Sequence, residues 1–274
     1  MQMQLEYANA RFKEAEIVIE GFPYDRTSSF IPGSRFGPQY IRFCTGNIEW
    51  YSPYQKRALD DIKICDLGDY EFKTEDHLDE IEKEVLRIYH KNKRAIFLGG
   101  EHTITYPIIK GIHRQIENFS VIHFDAHADL RQEFNGERLC HASAIRRVSE
   151  IIGLKNIYQF GIRSGTEEEF KGGKNLFPFE VYQPLKKIIK RVPEPIYLTI
   201  DVDVLDASVC PGVATPEPGG ISFRELIDSL LLLGDKKIIG ADIVEYNPLA
   251  TSPWASGSVV ADILRELILI IIQR

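Results

Sequence analysis

The feature that most constrains this chain is an alternation that runs along nearly its whole length. Short β-branched, apolar runs at 17–20, 62–66, 95–98, 120–124, 157–160, 196–200 and 238–244 are separated by segments with helical spacing. In one such segment, Leu78, Ile81, Val85, Ile88 and Tyr89 fall on one helical face through steps of three and four. Another opens with Ser222 and carries Glu225 three residues on, a capping-box pattern ahead of Leu226, Leu230 and Leu231. Strands alternating with helices at this spacing predict a three-layer α/β/α fold with a mostly parallel central sheet. The Pro/Gly-rich stretches 21–37 and 211–220 are expected as long loops over one end of that sheet. No repeat or linker divides the chain, so residues 1–274 are expected to form a single catalytic domain. A final apolar helix is expected over about 256–272, where Leu264, Leu267, Ile268 and Ile271 serve either the core or a subunit contact.

Composition narrows the partners. The net charge is −7, which disfavours nucleic acid and suits a cationic ligand. The cysteines, Cys44, Cys65, Cys140 and Cys210, are widely spaced and form neither a zinc-ribbon pattern nor a disulfide framework. The first residues lack the basic and apolar segments of a signal peptide. The apolar run 267–272 is too short to cross a bilayer. A cytoplasmic protein without membrane contact is expected.

Three strand ends carry reactive residues. After 95–98 comes Gly99-Gly100-Glu101-His102; after 120–124 comes Asp125-Ala126-His127-Ala128-Asp129; after 196–200 comes Asp201-Val202-Asp203. In open α/β sheets ligands bind at the carboxyl ends of the strands. Fully extended, Asp125 and Asp129 would lie about 13 Å apart. Either the chain bends after Asp125 or the run spans two ions. Four carboxylates and two neutral imidazoles balance two divalent cations, and without metal the same carboxylates would repel one another. Oxygen and imidazole donors without thiolate favour Mn²⁺, and less firmly Mg²⁺, Fe²⁺ or Zn²⁺.

These residues resemble the ureohydrolases, the arginase and agmatinase family, and are most similar to its agmatinases. The resemblance is carried by 99–105, 123–131, 201–206, 211–220 and 242–248, with Gly37-Pro38, Ile41-Arg42 and 161–164 in support. It implies an arginase/deacetylase-like fold and two Mn²⁺ per subunit, held by His102, Asp125, His127, Asp129, Asp201 and Asp203. It further implies that His141 transfers a proton, that Glu245 holds a guanidinium and that Thr215 lines the same pocket. Asp129 would orient the water that attacks the guanidinium carbon. From the residues alone, His141 could equally cap the next helix, Glu245 could be an ion-pair partner, and His123 could belong to pocket or core.

The loop after Asp129 lacks the Asn and the Thr/Ser-rich stretch of arginases and has Arg131 instead. Agmatine hydrolysis to putrescine and urea, a step of polyamine biosynthesis, is the implied reaction, with Glu133 and Glu137 offered to the distal ammonium. Aminopropylagmatine, guanidinobutyrate and arginine are the alternative substrates; a metal-dependent deacetylase or a non-catalytic homologue is the alternative class. The family's trimers and hexamers imply a homo-oligomer.

Overall fold

The computed structural model describes residues 3–273. In chain order the elements are β1 (Ile17–Phe22), α1 (Gly37–Thr45), β2 (Tyr51–Ser52), β3 (Arg57–Ala58), β4 (Ile64–Asp69), α2 (His77–Tyr89), β5 (Arg94–Gly99) and α3 (Thr105–His113). Then follow β6 (Ser120–Phe124), α4 (Ala144–Ile152), β7 (Ile157–Ile162), α5 (Glu167–Gly172), β8 (Leu176–Pro178) and α6 (Tyr182–Ile188). The chain ends with β9 (Ile196–Asp201), α7 (Phe223–Leu231), β10 (Ile238–Val244) and α8 (Pro253–Ile271).

Eight strands form one sheet in the order β4-β1-β5-β10-β9-β6-β7-β8. Every neighbouring pair in it is parallel. Strands buried on both faces need apolar side chains at consecutive positions, which explains the unbroken Val/Ile/Leu runs of the sequence. Successive side chains still separate by face. Ile96 and Leu98 of β5 and Ile196, Leu198 and Ile200 of β9 pack with α1, α6, α7 and α8. Ala95, Phe97 and Tyr197, one position out of step, pack with α2, α3 and α4. The fold is therefore three-layered, α/β/α.

Each expected strand is present. Pairs β2–β3, which form a separate antiparallel ribbon, and the edge strand β8 were not anticipated. The Ser222 hydroxyl caps α7 by accepting the Glu225 N–H at 3.1 Å, while the Glu225 carboxylate turns to the Tyr182 N–H at 3.4 Å. Helix α8 is core: Leu264, Leu267, Ile268 and Ile271 are all buried. Among the described residues no helix is long and apolar enough to cross a membrane.

The sheet order decides where chemistry can occur. Strands β5, β10, β9 and β6 are consecutive neighbours. Their carboxyl ends lead into His102, Glu245, Asp201 and Asp125, so four distant segments open onto one edge of the sheet. Gly100 permits the approach of the loop after β1, since a Cβ there would lie 1.9 Å from the Tyr24 carbonyl oxygen.

Candidate metal centre

The bend after β6 brings the acidic residues together. Asp129 adopts φ 52°, a left-handed conformation that aspartate tolerates better than most residues. As a result Asp125 Oδ2 and Asp129 Oδ2 lie 3.0 and 3.2 Å from the same atom, His102 Nδ1. Asp201 Oδ2 is 3.4 Å from it. A second group forms around His127 Nδ1, with Asp203 Oδ2 at 2.8 Å and Asp125 Oδ1 at 3.5 Å. Asp125 thus offers one oxygen to each group and joins the two. The bend and the two-centre arrangement, posed as alternatives from the sequence, occur together.

Hydrogen-bond donors settle which nitrogen of His102 faces the acids. Its Nε2 is 2.9 Å from the Thr199 hydroxyl, which lies 3.4 Å from the Thr105 hydroxyl, itself a donor to buried Asp242 at 3.1 Å. Thr105 has given its proton to the carboxylate, so Thr199 donates to Thr105 and accepts from its other neighbour; His102 Nε2 therefore carries the proton. A bare Nδ1 lone pair then confronts three carboxylate oxygens. His102 Nδ1 and Asp203 Oδ2 are both buried without a hydrogen-bond partner among the described residues. Lone pairs gathered this closely, at separations of 2.8–3.4 Å, repel unless cations stand among them. The donor set fits two divalent cations. It comprises His102, Asp125, Asp129 and Asp201 on one side, and His127, Asp125 and Asp203 on the other.

The electrostatics agree. Burial pushes the Asp201 and Asp203 carboxyls above their ordinary range, and the neighbouring carboxylates push further. Burial disfavours the His102 imidazolium, yet Asp125, Asp129 and Asp201 together outweigh burial and raise its pKa. Burial also acts against ionised Asp125, but His123, His102 and His127 hold it well below the ordinary range. The cluster gathers protons where cations would serve.

His123 lies close enough to count as a ligand, with Nε2 2.7 Å from Asp125 Oδ2. Its other nitrogen excludes that role. The Gln159 side-chain amide donates to the Ala128 carbonyl at 2.7 Å and to His123 Nδ1 at 3.1 Å. Nδ1 is the acceptor, so Nε2–H points at Asp125 and steadies it.

A cavity of about 190 Å³ opens beside the cluster, lined by residues including His102, His127, Asp129, His141, Thr215 and Glu245. Glu245 is buried, with φ 66°. Its Oε1 accepts the His102 N–H at 2.7 Å, and burial, followed by the charge of Glu101, raises its pKa well above the carboxylate range. A carboxylate in that state gains from a cationic partner. His141 does not cap α4; Cys140 and Ser143 cap the turn before the helix, leaving the imidazole to the cavity. Its Nε2 lies 3.3 Å from the Ser29 hydroxyl.

One expectation needs correction. Glu133 and Glu137 are exposed and do not line this cavity. Asn135 and Gly136, at φ 52° and 83°, form a tight turn with Phe134 on one flank, lining the cavity, and exposed Glu137 on the other. The cavity's outer acid is Glu169 of α5, held by the Leu130 N–H at 2.9 Å and the Thr166 N–H at 2.7 Å. Arg163 binds backbone carbonyls, including Asp203 at 2.6 Å and Glu217 at 2.8 Å. Arg131 does approach a carboxylate, Glu169, at 3.7 Å, and lies over the Phe134 ring.

Comparison with known proteins comes to the same place. The sequence profile of the arginase family matches residues 15–270. An agmatinase from Bacillus cereus is 41% identical over 94% of this chain and 92% of its own. An N(1)-aminopropylagmatine ureohydrolase from Thermococcus kodakarensis is 35% identical over 89% of this chain and 86% of its own. The crystal structure of an agmatine ureohydrolase from Thermoplasma volcanium superposes with a TM-score of 0.89 at 29% identity, covering 99% of this chain and 94% of that one.

Proposed function

Since the chain belongs to the arginase family, we propose that it is a Mn²⁺-dependent agmatinase, hydrolysing agmatine to putrescine and urea. That it is a hydrolase of guanidino compounds follows from the family and from agmatinase relatives matched over 94% of its length. The step to agmatine is carried by one observation. A single cavity is bordered by Glu245, bound to the cluster through the His102 N–H, and by Glu169, held by Leu130 and Thr166. Agmatine is a dication, a guanidinium and an ammonium joined by a short chain, and suits two carboxylates in one pocket.

In this reading His102, Asp125, His127, Asp129, Asp201 and Asp203 hold two Mn²⁺, for which carboxylate and imidazole donors without thiolate are suited. When bound, the cations supply the nucleophile by making water acidic enough to ionise at neutral pH. The protein's own groups do the rest. Asp129 accepts a hydrogen bond from the attacking water and orients it. Glu245, with Oε1 fixed by His102, presents Oε2 to the guanidinium and holds its carbon in line. Thr215, on the loop between β9 and α7, adds a polar wall. His141 delivers a proton to the departing amine. Residues 1–274 act as one catalytic domain.

A second reading has its own support. Arg131 and Glu169 also border a neighbouring cavity of about 300 Å³ that includes Glu133 and Glu168, room for a longer polyamine tail. Urea release with Mn²⁺ on agmatine, aminopropylagmatine, arginine and guanidinobutyrate decides. The highest kcat/KM is expected on agmatine, and a preference for any other overturns the assignment. The proposal includes a cytoplasmic trimer or hexamer. Trp254 and Phe43, tilted rings with centroids 5.2 Å apart and each more than half exposed, are the kind of surface a subunit contact covers. A monomeric mass by light scattering would contradict it.

A further inference from the structure

The loop 23–33 reaches over the end of β5 and places Thr27 between two groups that the catalytic reading treats separately. Glu101 is completely buried, one residue before His102. Its Oε1 accepts the Thr27 hydroxyl at 2.5 Å and the Thr103 hydroxyl at 2.6 Å. Its Oε2 accepts the Thr27 N–H at 2.9 Å and the Ser28 hydroxyl at 3.3 Å. On its far side, Thr27 Oγ1 accepts the His141 backbone N–H at 3.1 Å and lies 3.2 Å from His141 Nδ1.

A threonine hydroxyl has one proton and two lone pairs. Carboxylate oxygen is the closest and only charged acceptor available to that proton, so it is given to Glu101. Thr103 has likewise given its proton to Glu101 and can donate nothing to Thr27. Both Thr27 lone pairs therefore face His141, one toward the backbone N–H and the other toward Nδ1. For that second contact to be a hydrogen bond, Nδ1 must be the donor.

We propose that Glu101 and Thr27 are positioning residues that fix the His141 imidazole as its Nδ1–H tautomer, leaving Nε2 as the nitrogen that exchanges a proton with the substrate. The inference deepens the agmatinase reading and rests on His141 being the proton donor. Nε2 faces the cavity beside Ser29, whose hydroxyl can donate to it in the neutral state. In the protonated state the same Nε2–H points at the departing amine, while Nδ1–H stays with Thr27. The opposite tautomer would leave a proton on Nε2 and set a Nδ1 lone pair against a threonine oxygen with no proton to give.

The test uses Thr27, which is remote in sequence from the metal cluster. Imidazole ¹⁵N NMR is recorded on the full-length protein loaded with a diamagnetic divalent cation. Wild-type His141 is expected to show a protonated Nδ1 and an unprotonated Nε2 in its neutral form. Thr27→Val, which removes the hydroxyl and keeps the volume, should lose that signature; Thr27→Ser should retain it. In Mn²⁺-loaded enzyme, Thr27→Val should lower kcat about tenfold or more with little change in KM or metal content, within the range that proton transfer contributes. Thr27→Ser should restore most of that loss. An Nε2–H tautomer in wild type, or an unchanged spectrum in Thr27→Val, overturns the relay. An unchanged kcat in His141→Ala overturns instead the reading on which it rests.

Discussion

Replacing Asp203 by alanine should remove one of two cations and spare the other, because the two ligand groups share Asp125 but not Asp203. Asp203 Oδ2 lies 2.8 Å from His127 Nδ1, whereas the oxygens around His102 Nδ1 belong to Asp125, Asp129 and Asp201. A ligand present at a hundred times its Kd stabilises the native state by about 2.7 kcal/mol, so two sites filled to that degree supply about 5 kcal/mol. For a chain of this size each kcal/mol moves Tm by roughly 2–4 °C. Wild-type protein should therefore gain about 10–20 °C when saturated with Mn²⁺, and Asp203→Ala about half of that. The substitution also strands the Ala126 N–H, now bonded to Asp203 Oδ1 at 3.0 Å, at a cost of about 1–3 kcal/mol. That cost falls on metal-free and loaded protein alike, so the metal-induced shift, and not Tm itself, is the quantity to compare. Calorimetry with and without Mn²⁺, beside elemental analysis, reads both. Turnover should fall to near background. Two ions per chain with an undiminished shift in the variant would refute the division into two groups.

Glu245→Gln should weaken guanidino substrates by roughly tenfold to a hundredfold in KM, the loss of about 1.5–3 kcal/mol for a hydrogen bond to a charged group. Unaltered steady-state kinetics would remove Glu245 from the pocket. Asp206 anchors the loop that carries Thr215. The Ser208 hydroxyl and N–H, with the Gly220 and Gly219 N–H groups, hold its carboxyl down at about 2 against an ordinary 3.8. A depressed folded pKa gives stability that is present above 3.8 and lost as pH falls through about 2. Asp206→Asn should flatten the decline of Tm in that window, and superimposable acid limbs would count against the anchor. Arg42 is fully buried and bonds Asp66 through Nε at 2.8 Å and Nη2 at 3.0 Å, with a further ion pair to Asp69. Arg42→Met removes the buried cation that Asp66 and Asp69 share and should cost about 3–5 kcal/mol in denaturant melts. A loss below about 1 kcal/mol would show that desolvation already offsets the pair.

What the sequence discloses follows from what each residue type can signal. Strands buried on both faces need unbroken apolar runs, so the long strands of the sheet were readable. Strand β8, three residues ending in Pro178, and the two-residue strands β2 and β3 are too short to make a pattern. Reactive residues at strand ends stood out because carboxylates and imidazoles follow three separate apolar runs, ending at 98, 124 and 200. Their conformations did not. The left-handed φ of Glu245 is a property of its surroundings that glutamate does not announce. Glu133 and Glu137 were plausible on charge, yet the Asn135-Gly136 pair between them is a tight-turn signal, and both acids are exposed. Glu169 was hidden inside its own helix start, where Thr166 and Glu169 form a capping box that reads as ordinary helix chemistry.

The supporting residues share a logic that no single stretch of sequence contains. Asp242 binds Thr105, which accepts from Thr199, which accepts from His102 Nε2; Glu101 binds Thr27, which accepts from His141 Nδ1; Gln159 donates to His123 Nδ1 and so turns His123 Nε2–H toward Asp125. In each case a neighbour with a fixed supply of protons decides which imidazole nitrogen is bare. The outcomes differ: His102 aims a lone pair at the cluster of carboxylates, His123 aims a proton at a carboxylate, and His141 aims a lone pair into the cavity beside the cluster. A histidine's chemistry is thus set by residues 36 to 114 positions away, as between Gln159 and His123 or Thr27 and His141. Threonine and glutamine are common enough that their presence signals nothing until the fold brings them within 3.2 Å of a ring nitrogen. The reactive groups could be found by spacing; the groups that tell each imidazole where to keep its proton could be found only by tracing donors and acceptors through the folded chain.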